Sequence, residues 1–183
     1  MRVISGRLRG RRLMSPPGDA TRPTADRARQ ALFDMLAHAP WAGRETLQDA
    51  RVLDAFAGSG ALGIEALSRG AAHVTFMETA RPAQAVIRAN LDAVGEAGRA
   101  MVLPTDATRP PRAAAPCGLA FLDPPYRAGL LPRALAALAA QGWFAPEAVL
   151  CLEMAQDEAA EFTNPVLAER VHGAARIVIL RAA

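Results

Sequence analysis

Lysine is absent from the 183-residue chain: all 21 basic side chains are arginine. Cysteine is nearly absent too, with Cys117 and Cys151 as the two examples. Both lie in apolar stretches without paired spacing or a nearby histidine, which excludes a disulfide-stapled scaffold and a cysteine-based metal cluster and marks them as reduced core residues. No apolar run approaches the roughly 18 residues of a membrane-spanning helix. The opening MRVISGRLRGRRL lacks the apolar segment of a secretory leader. A cytoplasmic protein with no membrane partner is the resulting expectation. His38, His73 and His172 are scattered among apolar or small residues and read as structural. No metal is expected.

What is present is arginine in one place. Compositional bias accounts for the missing lysine, but not for clustering. Residues 1–30 carry eight arginines against Asp19 and Asp26, a net +6, whereas the remainder holds 13 basic and 16 acidic residues, a net −3. A basic end beside a mildly acidic body is the electrostatic footprint of a nucleic-acid binder. Arg7, Arg9, Arg11 and Arg12 are the candidate phosphate contacts. The length allows one sizeable core and a short appendage. The expected division is a basic hairpin arm and loop over 1–23 and a single domain over 24–183, whose residues 24–50 form a helix and a linker onto the core.

Periodicity supplies the organisation. Ala28, Ala31, Leu32, Met35 and Leu36 fall on one helical face, predicting a helix over 24–38 with Thr24 as its N-cap. From residue 51 strands and helices alternate: RVLDAF, ALGIEALSR, HVTFME, a helix from about 82 to 94, MVL, LAFLD, a helix over LLPRALAALAAQ, and AVLCLEM. ARIVILR is a last strand, and 109–118 reads as a loop. Alternation with continuous apolar strands predicts a parallel sheet covered by helices on both faces.

VLDAFAGSGALGIEAL places Gly58, Gly60 and Gly63 in a G-x-G-x-x-G pattern directly after the first strand and at the mouth of the first helix of this alternation. Such glycines permit a tight turn and close approach of backbone to ligand, and the helix N-terminus offers free N–H groups. Glu78, 20 residues after Gly58, is placed to accept hydrogen bonds from a ribose diol. The spacing fits NAD and S-adenosylmethionine alike. Asp54 favours the second, because a carboxylate before the loop attracts the α-ammonium of a methionine moiety and repels a pyrophosphate. A purely structural role, capping the adjacent turn, remains open for Asp54. The chain also has a single such loop and no second half for a nicotinamide and its substrate.

The stretch LAFLDPPY, residues 119–126, runs an apolar strand into Asp123, Pro124, Pro125 and Tyr126. Consecutive prolines fix φ twice and hold Asp123 out of the helical region. The result is a rigid corner carrying one carboxylate and one aromatic ring, suited to gripping something flat and polar.

With this glycine loop, Glu78 and DPPY in that order, the chain resembles the class I S-adenosylmethionine-dependent amino-methyltransferases. RVISGRLRGRRL, RPTADRARQALFDML, DAFAGSGALGIEALSRGA and FLDPPY together resemble the bacterial RsmD-type enzymes, which methylate the exocyclic N2 of a guanine in 16S ribosomal RNA. The resemblance implies a Rossmann-like α/β fold with a seven-stranded, mostly parallel sheet whose last strand is antiparallel, plus the N-terminal hairpin arm. It assigns Asp54, Phe56, Ala57, Gly58, Ser59, Gly60 and Gly63 to the methionine and ribose end of the cofactor and Glu78 to the ribose hydroxyls. Asp106 and Ala107 fall where such enzymes contact the adenine, although an Asx-turn would also explain Asp106. Arg22, Pro23 and Thr24 resemble a segment that folds over the cofactor. In the catalytic corner, Asp123 and the Pro124 carbonyl would hold the amine, Pro125 would fix the turn, and Tyr126 would stack on the base. The implied partner is 16S rRNA within an assembling small subunit, with the enzyme a monomer.

Two other functions remain open on sequence. DPPY also serves adenine-N6 chemistry on DNA, although residues 1–50 leave little room for a sequence-reading domain. An RNA-binding assembly factor retaining a cofactor fold is the second.

Overall fold

The computed structural model describes residues 1–16, 23–43 and 46–183, and the side chains of all of these except 23–26. Helix α1 spans Pro23–His38. It begins one residue earlier than the period predicts, because proline's fixed φ suits the first helical position. Thr24 therefore lies inside the first turn and is not the N-cap. The alternation follows: β1 (Arg51–Ala55), α2 (Ala61–Ser68), β2 (His73–Met77), α3 (Arg81–Val94), a 3-10 turn over Ala97–Arg99, β3 (Ala100–Leu103), β4 (Cys117–Leu122), α4 (Leu130–Ala140), β5 (Phe144–Ala155), β6 (Val166–His172) and β7 (Ala175–Arg181).

The seven strands form one sheet in the order β3-β2-β1-β4-β5-β7-β6. Strands β1 to β5 pair in parallel, and β7 runs antiparallel to both β5 and β6. The last strand is thus antiparallel, as the family resemblance implies. Strand β6 is the element that periodicity did not locate. It is an edge strand with one hydrogen-bonded neighbour, and Val166, Glu169, Arg170 and Val171 are all exposed, so no apolar alternation marks it.

Alternate strand residues feed two cores. Val52, Val74, Phe76, Leu119, Phe121 and Cys151 meet Leu32, Phe33 and Leu36 of α1, Ile64 and Leu67 of α2, and Ile87 and Leu91 of α3. On the opposite face Leu53, Ala120, Leu122, Leu150 and Leu152 meet Leu131, Ala134 and Leu138 of α4. Helices therefore cover both faces. By the same parity Asp54, Asp123 and Glu153 all belong to the face carrying α1 and α2. Both cysteine thiols are buried, and burial pushes Cys117 up to about 11. No helix among the described residues is long and apolar enough to cross a membrane.

The N-terminal segment is a loop closed by one antiparallel bridge, Arg2 to Arg12. It is not a free arm. Val3, Leu8 and Leu13 are buried in the same core as α1 and α2. Buried Glu65 accepts the N–H groups of Ile4 (2.7 Å) and Ser5 (3.0 Å), and Ser68 Oγ accepts that of Leu8 (2.9 Å) and donates to Ser5 O (2.5 Å). Gly6 is required here: a Cβ would lie 2.1 Å from the Ser68 carbonyl oxygen, and its φ is +80°.

Candidate active site

The first part of the site lies at the C-terminal end of β1. Phe56 (φ 63°), Gly58 (φ 53°) and Gly60 (φ 77°) turn the chain through left-handed conformations into α2. Gly60 N donates to Ala57 O at 2.7 Å, and Ala57 N to Met77 O at 3.0 Å, tying the loop to β2. A Cβ on Gly58 would project into open space, so this backbone is accessible. Gly63 serves packing: a Cβ there would lie 2.3 Å from the Phe76 ring. Its N–H donates to Asp54 Oδ2 at 2.9 Å. Asp54 therefore makes the helix-capping contact that the sequence left open. Burial raises its pKa from 3.8 to about 7, the Gly63 N–H lowers it, and the charge of Glu78 raises it further.

Glu78 follows the last residue of β2. Its Oε2 accepts the Gly58 N–H at 2.9 Å and its Oε1 the Ala80 N–H at 2.8 Å, so the carboxylate stands against the glycine loop. Asp106 and Ala107 lie in the loop after β3. Asp106 Oδ1 accepts from Thr108 N (2.8 Å) and Thr108 Oγ1 (2.9 Å), an Asx-turn whose backbone donor holds its pKa down. Ala107 is buried against the α4-side core.

The second part follows β4. The last registered pair between β1 and β4 is Ala55 with Leu122, so Phe56 and Asp123 leave neighbouring strand ends side by side. Asp123 is half-buried, Pro124 buried and Pro125 exposed. Tyr126 is 43% exposed, and its hydroxyl donates to Glu153 Oε1 at 2.7 Å. Asp123 and Glu153 line one small cleft, open to solvent, walled by Leu32 of α1, Leu62 of α2, Phe121 and Ile177. Arg127 (φ 58°) continues the corner, paired with Asp157 at 2.7 Å.

Of the candidate RNA contacts, Arg9, Arg11 and Arg12 are exposed. Arg7 is exposed as well, but its guanidinium pairs at 2.5 Å with Glu96, a buried carboxylate that also binds Arg99. Asn90 of α3, itself buried, accepts the Met14 N–H (2.7 Å) and donates to Met14 O (3.0 Å) and Ser59 O (3.1 Å). The N-terminal segment is thereby latched to the glycine loop. Arg22 lies outside the described residues, as does the side chain of Thr24.

Comparison with known proteins decides the family. A family model described as conserved hypothetical protein 95 matches residues 1–179. The chain belongs to that family. Ribosomal RNA small subunit methyltransferase D of Escherichia coli K12 is 42% identical to this family member over 154 residues, 84% of this chain and 74% of the relative. The Haemophilus influenzae protein of the same name is 33% identical over 162 residues, covering 86% and 80%. Among solved structures, the E. coli protein yhhF superposes with a TM-score of 0.82 at 36% identity, covering 99% of this chain and 97% of that one. The Thermus thermophilus 16S rRNA N2 G1207 methyltransferase, solved with AdoMet and guanosine, gives 0.72 at 20% identity over 100% of this chain and 49% of its own. That last likeness is one of fold: the family member has the Rossmann-like architecture of S-adenosylmethionine-dependent methyltransferases.

Several residues that build the site carry no motif. Glu65 and Ser68 sit inside the helix ALGIEALS, where a charged residue on a buried face was the available signal. Asn90 and Glu96 lie in and after α3 without a pattern. Glu153, in AVLCLEM, is an acid closing an apolar run, the feature that drew attention to Asp123 one strand away.

Proposed function

We infer that this chain transfers the methyl group of S-adenosylmethionine to the exocyclic N2 amine of a guanine in 16S ribosomal RNA, acting as a monomer on the assembling small subunit. The observation that carries this reading is the juxtaposition of Phe56 and Asp123: a nucleotide-type glycine loop and a D-P-P-Y corner leave adjacent parallel strands, about 4.8 Å apart, in register. The residues fit the cofactor. Gly58 offers open backbone, Glu78 stands beside it to accept from a ribose diol, and Asp54 lies behind the loop to answer an ammonium group. Bound there, S-adenosylmethionine supplies an electrophilic methyl group on a sulfonium.

A guanine amine is a poor nucleophile because its lone pair is delocalised into the ring. Asp123 and the Pro124 carbonyl accept its two N–H groups and hold the nitrogen toward the glycine loop, favouring a more pyramidal geometry. The prolines fix that carbonyl's direction. Tyr126 presents an exposed ring for the base, a contact worth about 1–3 kcal/mol in single-stranded complexes. The target must leave its stack, so looped guanines are favoured. Alignment of amine and methyl carries much of the rate. Arg9, Arg11 and Arg12 supply the phosphate contacts.

The test is transfer of labelled methyl to unmethylated small-subunit particles, naked 16S RNA and duplex DNA, with identification of the modified nucleoside. N2-methylguanosine from RNA supports the reading, and Asp123→Ala should then lower kcat/KM by about 10²-fold or more. Methyladenine in DNA would replace it with the DNA amino-methyltransferase reading. No transfer to any of the three, with cofactor binding intact, would leave RNA binding without catalysis.

A further inference from the structure

A D-P-P-Y corner holds an amine on a ring, but nothing in those four residues distinguishes guanine from adenine. The cleft contains a second carboxylate. We propose that Glu153 is the base-selecting residue, accepting the N1–H of the target guanine while Asp123 accepts from N2; the inference rests on the guanine-N2 reading above.

The register makes the pair. Leu122 and Leu152 are the last matched residues of β4 and β5, so Asp123 and Glu153 are the next residues on neighbouring strands, with side chains on the same sheet face. Both line the same cleft beneath α1 and α2. Guanine presents two adjacent donors on its Watson–Crick edge, N1–H and N2–H₂; adenine presents the N6 amine beside an N1 lone pair. Two carboxylates side by side match the first pattern and set a lone pair against an anion in the second. Tyr126 takes one of roughly four lone-pair positions on the Glu153 carboxylate, which leaves acceptors for the base. The same hydrogen bond ties the stacking ring to the residue that reads the edge.

A bond to Tyr126 alone would make Glu153 a support for the ring and nothing more. The two roles are separated by a substrate that keeps the reacting amine and changes only the edge. In 2-aminopurine the exocyclic 2-amine is present, but N1 carries a lone pair in place of N1–H and C6 a hydrogen in place of the carbonyl oxygen, so the Glu153 variant is what assigns the difference to N1. The experiment measures kcat/KM for the full-length wild-type protein on small-subunit rRNA fragments with guanine or 2-aminopurine at the target, then repeats both with Glu153→Gln and Tyr126→Phe.

Wild type should prefer guanine by about 10²-fold or more, since a site built for a donor rejects a ligand lacking it by up to about 10⁴–10⁵-fold. Glutamine can donate as well as accept, so Glu153→Gln should shrink that ratio at least tenfold, chiefly by losing activity on guanine. Tyr126→Phe, which removes only the hydroxyl, should lower both rates and keep the ratio. Equal wild-type kcat/KM on the two bases would overturn the assignment, independently of how any variant folds. So would a Glu153→Gln protein that slows on both substrates by the same factor, the behaviour of a ring support. N2-methylguanosine formed without discrimination defeats this inference alone, whereas no product on guanine from the wild-type protein defeats the functional reading and the inference with it.

Discussion

Asp54 is a carboxylate whose ionisation the fold opposes, which makes Asp54→Asn an informative perturbation. Burial is the main reason its pKa rises from 3.8 to about 7. A carboxyl group with a higher pKa in the folded state holds its proton more tightly there. The stability linked to it is therefore fully present below about pH 3.8 and is lost as the pH climbs through about 7. Three pKa units correspond to about 4 kcal/mol, of which the interval from pH 5 to pH 8 contains about 2–3 kcal/mol. Asparagine keeps a carbonyl to accept the Gly63 N–H and has no proton to lose. Urea unfolding of both proteins at pH 5 and pH 8 reads the difference directly, because every other titrating group is common to the two. The wild type should lose about 2–3 kcal/mol relative to the variant across that interval. The ammonium of S-adenosylmethionine favours ionised Asp54, so wild-type affinity should rise by up to about tenfold per pH unit below 7, while the variant binds weakly and without that slope. The same stability gap at both pH values would refute the reasoning.

Replacing Arg9, Arg11 and Arg12 with alanine should weaken RNA binding and reduce its salt slope by about one for each phosphate no longer neutralised, leaving cofactor affinity unchanged; an unaltered slope would remove this surface from the interface. Arg7→Ala should instead cost stability, about 1 kcal/mol or less because the arginine is half-exposed, by weakening the pair with Glu96. Gly63→Ala drives a methyl group into the buried Phe76 ring and should cost about 1–3 kcal/mol in thermal or urea unfolding, with part recovered by Phe76→Leu in the same chain. Asn90→Ala abandons three hydrogen bonds, two to Met14 and one to Ser59, and should cost about 2 kcal/mol while weakening cofactor binding in a titration. A full stability loss with unchanged cofactor affinity would show that the latch does not shape the glycine loop.

The central part of the molecule was legible because its signals are local. Strand alternation from residue 51, the glycine spacing after β1 and the acid-proline corner after β4 each depend on neighbours within one element and its turn, and each lies on the expected element, although β4 takes in the last two residues of the expected loop over 109–118 and β5 starts four residues earlier than AVLCLEM. The helix over LLPRALAALAAQ buries Leu131 and Leu138 as its spacing requires. The start of α1 was displaced because proline can open a helix as readily as threonine can cap one. β6 was invisible for a different reason: with one pairing partner and an exposed face, its residues answer to hydrogen bonding and not to burial. The segment around Arg7 was read by its charge, and charge says nothing about Val3, Leu8 and Leu13, which fix it to the core. Glu153 escaped because its importance lies in a neighbour across the sheet, and strand order is not written in either strand.

The docking of the N-terminal segment also sets an order of events. Its partners lie far along the chain: Ser68 is 60 residues from Leu8, Glu65 61 from Ile4, Asn90 76 from Met14 and Glu96 89 from Arg7. Residues 4–14 precede these partners in the chain and have none of them to fold against until α2 and α3 are made. Until α2 and α3 exist nothing fixes the positions of these arginines relative to one another. The surface that presents Arg9, Arg11 and Arg12 thus depends on contacts of long sequence separation, and a chain interrupted before Asn90 would carry the charge without the surface.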